Sequence, residues 1–354
     1  MKKYPLIDVL RGFAALLVVF FHVIEVGEWK SFPVSGPGML PRIGWVGVDL
    51  FFVISGFVIG KTAMEGFARG GSWRLDFSVR RIRRILPLYL GTLAIYLFLI
   101  QPGLLLAGWN SVVHIGAHLF FVHNLSPSTF GSINGPNWSV ALEMQFYLLM
   151  VIAAPWLSRS SWVKVLVVWV GIAFAWRFGT TLMVPTGSVS PHEQFIASTQ
   201  LPGVLDQFVC GICLAKLAGS GHLQYSRVRM LAWGLSAAVL LVAAWVTLWP
   251  RASYWNYPYM VIFWRALVSA GFAALLATAV MCPWTGGWMT KPLRYLGEIS
   301  YGIYLWHMIV LMALVKNTPL RESSLLFVAV AITVILASMS WHGFEKLWLK
   351  ADRN

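Results

Sequence analysis

Polar residues are sparse along this chain, and the apolar runs between them recur at a length of about 20 residues, which is what a helix needs to cross the hydrocarbon core of a bilayer. The runs do not alternate in polarity, as strands of a membrane barrel would. They therefore predict membrane helices, because lipid offers backbone polar groups no partner outside a helix or a closed barrel. Ten spans are expected, near residues 6–26, 44–62, 85–106, 138–157, 163–184, 199–218, 229–249, 261–281, 294–315 and 325–345. The apolar stretch 109–126 is shorter and carries His114, His118 and His123. It reads as a helix lying at the interface or re-entering the membrane, with an eleventh span as the alternative. The polar stretches 27–43, 61–84, 107–137 and 185–198 are too short to bury cores of their own. The expected fold is an all-α polytopic membrane protein forming one membrane domain over residues 1–354.

Composition sharpens this picture. Apolar residues make up 58% of the chain and charged residues 11%, with a mean hydropathy of +0.71. A water-soluble protein of this length carries far more surface charge. Nineteen Trp and eleven Tyr fit the aromatic belts at membrane–water interfaces. The opening Met1-Lys2-Lys3-Tyr4-Pro5 resembles the start of a signal peptide. No small-residue cleavage site follows, however, and Arg11 and His22 interrupt the apolar run, so it reads as a retained first span.

The net charge is +14. The basic residues cluster between spans rather than on a soluble face, which points to anionic lipid headgroups and an anionic cytoplasmic ligand, not to nucleic acid. With the N-terminus inside, nineteen of the 27 Lys and Arg fall on the inner side and six, Arg265 among them, on the outer side. An eleventh span at 109–126 would reverse every later loop and destroy that asymmetry, so the positive-inside rule favours ten spans with both termini cytoplasmic. The matching location is a bacterial-type inner membrane.

Candidate chemistry begins in the first span. Arg11 and His22 are costly at membrane depth unless they line a cavity or pathway. Eleven residues apart, they lie roughly 16 Å apart along a helix and face nearly the same way. The bland alternative is an Arg reaching the inner headgroups and a His at the outer boundary. Before the third span, SVRRIRRILP sets Arg80, Arg81, Arg83 and Arg84 at one helix start. Their forked guanidinium groups suit phosphate oxygens, although a plain membrane anchor would look the same. In the second span Ser55, Gly56 and Gly60 form a small-residue packing face, and Asp49 lies near the outer end.

Trp138, Ser139 and Glu143 open the fourth span, with Ser139 and Glu143 on one face and Glu143 in reach of an outer cavity shared with His22. His307 lies in the ninth span and reads as a structural His bonded to a neighbouring helix. Asp206 and Arg177 are candidates for mutual pairing. His114, His118 and His123 invite a metal reading, but no nearby Cys or carboxylate completes a ligand set, so no metal is expected. Cys210 and Cys213 form a CxxC without a second pair and read as buried helix residues.

Taken together, these residues resemble the acyltransferase-3 family of integral-membrane acyltransferases. The resemblance covers essentially the whole chain. It rests on the Arg11-x10-His22 spacing within Ile7-Asp8 to Val23, on GVDLFFVISGF, on Arg81-x-x-Arg84 followed by Pro87, on Trp138-Ser139 with Glu143, and on ISYGIYLWH. Five such pieces in this order make it specific. It implies an acyl-CoA donor, usually acetyl-CoA, bound from the cytoplasm, and O-acylation of a carbohydrate or glycolipid acceptor at or beyond the membrane. It also implies functional roles for Arg11, His22, Arg81 and Arg84. Two departures stand out. Many members carry a C-terminal extracytoplasmic hydrolase-like domain, whereas this chain ends at Asn354 and matches single-domain members. The family's closing Glu-Lys-Pro is Glu345-Lys346-Leu347 here.

On this reading the Arg cluster holds CoA phosphates and His22 is the general base for an acceptor hydroxyl, with an acyl-His22 intermediate equally open. Glu143 orients His22 or binds the sugar. Arg11 positions the donor or counters charge along its path, and Trp138, Ser139 and Asp49 contact the acceptor. The competing class is a proton-coupled transporter or a flippase for a lipid-linked glycan. The chain lacks the matched pair of interrupted segments that transporters show.

Overall fold

The computed structural model describes residues 4–184, 190–251, 254–284 and 287–350. Lys2, Lys3 and Arg353 of the charge asymmetry, and the first part of the stretch 185–198, lie outside the described residues. Helices run in the order α1 (Pro5–Val26), α2 (Gly47–Arg69), α3 (Trp73–Ile95), α4 (Pro102–Leu105), α5 (Trp109–Leu119), α6 (Trp138–Arg159), α7 (Trp162–Met183) and α8 (Pro191–Ser198). The second half adds α9 (Leu205–Gly219), α10 (Arg227–Leu248), α11 (Pro258–Met281), α12 (Lys291–Glu298), α13 (Ser300–Asn317), α14 (Glu322–Ser340) and α15 (Lys346–Lys350). No strand occurs among the described residues. The protein is an all-α polytopic membrane protein.

Local chemistry starts these helices. Proline opens α1, α8 and α11, at positions whose N–H would have no helical partner anyway. The Ser161 and Ser226 hydroxyls cap α7 and α10 by accepting from the backbone N–H groups of Lys164 and Arg229. Nine helical segments among the described residues are long and apolar enough to cross a membrane. A tenth is a bent pair, Trp288–Glu298 with Ser300–Asn317, broken by 68°. The expected ninth span is thus a kinked one. At 11 residues, α5 is too short to cross.

Helix α2 is the hub, packed on α1, α3, α6, α9 and α11. Helix α10 is peripheral, with only 17% of its apolar window buried, so its wide apolar face meets lipid. Two crossings depend on glycine. A Cβ on Gly56 would lie 2.0 Å from the Phe208 carbonyl oxygen, and one on Gly211 would lie 2.0 Å from that of Val53, so α2 and α9 meet backbone to backbone. Gly12 and Gly297 do the same for α1 and α12. Gly56 and Gly60 are the packing face that the sequence suggests, but Ser55 turns away from it toward Glu143. Because backbone cannot yield as a side chain can, Gly56→Ala is expected to cost about 1–3 kcal/mol. The measurement is the melting midpoint in detergent. Gly91→Ala, at an exposed helical position with open space around it, is the control that leaves the midpoint unchanged.

Two of the buried acidic groups within spans, Asp206 and Asp49, are each paired with a buried arginine. Arg177 Nη2 donates to Asp206 Oδ2 at 2.6 Å, the pairing anticipated from sequence. Arg265 is not an outer-loop charge. It lies within α11 and donates from Nη1 to Asp49 Oδ1 at 2.8 Å.

Candidate active site

Helix α1 carries Arg11 and His22 toward opposite ends, and each lines a different cavity. The arginine cavity has a volume of about 400 Å³. Arg11, Arg80, Arg81 and Arg84 line it with Ser55, Ser139, Glu143, Tyr147, Ser300, Tyr301 and Tyr304. Helical geometry explains which of the four clustered arginines enter. At 100° per residue, positions 80, 81 and 84 fall within one arc of about 100°, while position 83 lies on the other side of residue 80. Arg83 does not line the cavity.

Four cationic groups face this space against one carboxylate in its wall, Glu143. Glu143 Oε1 accepts from the Tyr147 hydroxyl at 2.5 Å and from Ser55 at 3.2 Å. Arg84 is held by its surroundings. It sits 3.8 Å from Glu345, lies over the rings of Tyr301 and Trp341, and donates to the Glu298 carbonyl. Arg81 lies over Phe77 and Tyr147 and keeps a buried Nε with no hydrogen-bond partner. No ion pair engages Arg80 or Arg81 among the described residues. Desolvated guanidinium groups without carboxylate partners are a strong pull for a polyanion.

The histidine cavity is larger, about 810 Å³. His22 lines it with an aromatic wall of Trp45, Phe130, Trp138, Phe195, Tyr254 and Trp255. Arg42, Arg251 and Arg265 supply charge; Arg42 pairs with Glu25 of the same lining. Trp138 is braced edge-on by Phe195 and Phe52 and stacks on Phe130. Aromatic faces with a few polar groups suit a sugar-like ligand.

Val48 and Tyr304 line both cavities, so the two spaces share a wall. The Tyr304 hydroxyl lies 2.7 Å from the Pro136 carbonyl, to which it donates, and 2.6 Å from the Ser139 hydroxyl. On the histidine side, His22 Nδ1 lies 2.9 Å from the Val18 carbonyl and 3.3 Å from His307 Nε2. His307 Nδ1 in turn lies 2.6 Å from the Tyr304 carbonyl.

The structure separates residues that the sequence reading grouped. His22 and Glu143 do not border one cavity, because Glu143 points into the arginine cavity and has no bond to His22. Ser139 also faces the arginine cavity, away from the aromatic wall that holds Trp138. Asp49 faces neither cavity and is fully buried against Arg265. It is therefore not the acceptor contact expected from its place near the outer end of the second span, because α11 covers it. His118 and His123 stack face to face, 3.9 Å between ring centres. Among the described residues no three His, Cys, Asp or Glu side chains gather as metal ligands. The sequence reading omitted Tyr147, Tyr301 and Tyr304 from the cavity lining, whereas His307 bonds to the neighbouring helix α1 as expected, through His22. The GIYLWH run held the available signal, since Tyr304 and His307 are three apart and share a helix face.

Fold and site together define a multi-pass membrane protein in which two chemically distinct cavities abut inside one helical bundle. The chain belongs to the acyltransferase-3 family, whose profile, described as "Acyltransferase domain", matches residues 4–341. It is similar to YrhL of Bacillus subtilis, 28% identical over 98% of this chain and 55% of that protein. It is also similar to the peptidoglycan O-acetyltransferase OatA of Listeria monocytogenes, 26% identical over 97% of this chain and 56% of that one. The acyltransferase MdmB of Streptomyces mycarofaciens is 28% identical over 87% of this chain and 79% of its own length. The chain thus spans about half the length of the first two relatives. No solved structure matches it.

Proposed function

We propose that this protein is an O-acyltransferase of the bacterial inner membrane, moving an acyl group, in the simplest case acetyl, from cytoplasmic acyl-CoA to a hydroxyl of a carbohydrate or glycolipid. The observation that carries this reading is the shared wall at Val48 and Tyr304 between an arginine-lined and a histidine-lined cavity. The charge asymmetry turns the arginine cavity toward the cytoplasm. Arg80, Arg81 and Arg84 hold the CoA phosphates there, and Arg11 lies deeper, where the donor's thioester arm enters. Glu143, fixed by Ser55 and Tyr147, balances Arg11 on the donor side.

Across the wall, Trp138 and its aromatic neighbours hold the sugar ring. His22 Nε2 takes the proton of the acceptor hydroxyl as its oxygen bonds to the acyl carbon. The carbon–sulfur bond then breaks, and Nε2 returns the proton to the departing thiolate. The names of OatA and MdmB, an O-acetyltransferase and an acyltransferase, support this chemistry. That of OatA makes a peptidoglycan-like glycan a sensible first acceptor.

Acetyl-CoA binding to the purified protein in detergent tests the donor site. Arg81→Ala combined with Arg84→Ala is expected to weaken binding about a hundredfold, since hydrogen bonds between charged groups are the strong ones. Arg83→Ala, off the cavity, is expected to leave affinity intact. Unchanged affinity in the double variant would move the donor site elsewhere. Wild-type protein that neither binds nor consumes acetyl-CoA would favour a carrier of lipid-linked glycans.

A further inference from the structure

The two short contacts around His307 connect the partition between the cavities to the candidate base. His307 is 1% exposed and lines neither cavity, so it touches no substrate. Its Nδ1 lies 2.6 Å from the Tyr304 carbonyl oxygen. A carbonyl only accepts, so this nitrogen carries the proton and donates it, and in the neutral ring Nε2 is bare. The same logic applies to His22. Its Nδ1 lies 2.9 Å from the Val18 carbonyl, so Nδ1 carries the proton there too. That N–H also faces the bare Nε2 of His307 at 3.3 Å, with the two ring centres 4.9 Å apart. The consequence is a defined tautomer: His22 holds its proton on Nδ1 and keeps Nε2 as a lone pair, with no partner for that atom among the described residues.

We infer that His307 is a positioning residue for His22, accepting its Nδ1–H so that Nε2 is the basic atom and the ring stays oriented when it becomes charged. The inference rests on the reading of His22 as the base. Val18 lies four residues before His22, so its carbonyl also serves the backbone hydrogen bond of helix α1. When His22 takes the acceptor's proton at Nε2, Nδ1–H becomes a stronger donor in a site with little water. A second acceptor then matters more in the transition state than in the resting site. His307 supplies it as a neutral ring, itself anchored by the main chain of α13. This is the arrangement of nucleophile-activating base and orienting third group, with imidazole in the orienter's place.

The test compares the full-length protein in nanodiscs with its His307→Phe, His307→Gln and His22→Ala variants. CoA thiol release from acetyl-CoA is followed with N-acetylglucosamine tetramer as the acceptor probe. Histidine ¹⁵N spectra of the labelled protein report the tautomer, the His22 signals being identified by their loss in His22→Ala. Phe fills the His307 site without an acceptor, and is expected to lower kcat about 10- to 100-fold with the KM for acetyl-CoA unchanged. It is also expected to split the His22 signal between two tautomers. Gln places an amide oxygen where Nε2 lies, and should recover most of the rate and the single tautomer. Wild-type kcat and an unchanged His22 tautomer in His307→Phe would overturn the inference. So would a Gln variant as impaired as Phe with the tautomer intact, which would make His307 a packing residue. If His22→Ala itself still turns over, the base assignment falls, and this inference with it.

Discussion

His22→Ala should lower acyl transfer by about 10²- to 10⁴-fold, the usual contribution of a positioned general base. Acetyl-CoA affinity should stay close to that of the wild type. The separation follows from the layout, because His22 lines the histidine cavity and Arg80, Arg81 and Arg84 line the other one. Arg81→Ala combined with Arg84→Ala should give the reverse pattern of weak donor binding. Transfer rate and equilibrium binding measured on the same preparations check both. A His22→Ala enzyme with near-normal transfer would remove His22 from the chemistry and leave the histidine cavity without a base.

The largest expected stability effect is at Asp49. Its carboxylate is fully buried, and Arg265, 4% exposed, answers it at 2.8 Å. The Arg265 guanidinium also contacts the Tyr254 hydroxyl through Nε and lies over the Trp45 ring, 4.9 Å from its centre. Asp49→Ala leaves that largely buried cation without its carboxylate. Breaking one side of a buried pair costs about 3–5 kcal/mol. The variant should therefore lose most of its folded yield, or its melting midpoint should fall sharply. Removing both charges with Asp49→Leu and Arg265→Met should restore much of the loss, since two apolar groups need no partner. An Asp49→Ala protein that melts with the wild type would mean the pair carries no stability. Arg265 also lines the histidine cavity, so activity in the rescued double variant shows whether that wall matters to the acceptor.

Parts of this site were legible from the chain alone. The spacing of Arg11 and His22 placed them on one stripe near opposite faces of the bilayer, and they line cavities at opposite ends of α1. The arginine run before Pro87 marked one rim of the bundle, but Arg83, grouped with the other three as a phosphate ligand, turns away from the cavity. Arg177 and Asp206 were paired from their isolation in apolar surroundings. Other placements failed for a common cause. Glu143 was set beside His22 because both were assigned to the outer half of the membrane, yet depth says nothing about which face of α6 meets which neighbour. Asp49 was placed among the acceptor contacts because α11, which covers it, lies 216 positions further on.

Apolar run length, loop charge and helical period are local properties. From them follow the all-α membrane class, the positions of its ten expected spans and the clustering of cations. The kink between Glu298 and Ser300, the shared wall at Val48 and Tyr304, and the contact of His22 with His307, 285 residues away, belong to a different order of information. They arise where backbones approach closely, as Gly56 meets Phe208 and Gly297 meets Asp8. Those approaches set the rotation of each helix about its axis. Rotation decides whether a polar side chain faces a cavity, a partner or lipid, and it comes from packing between segments that are far apart in the chain.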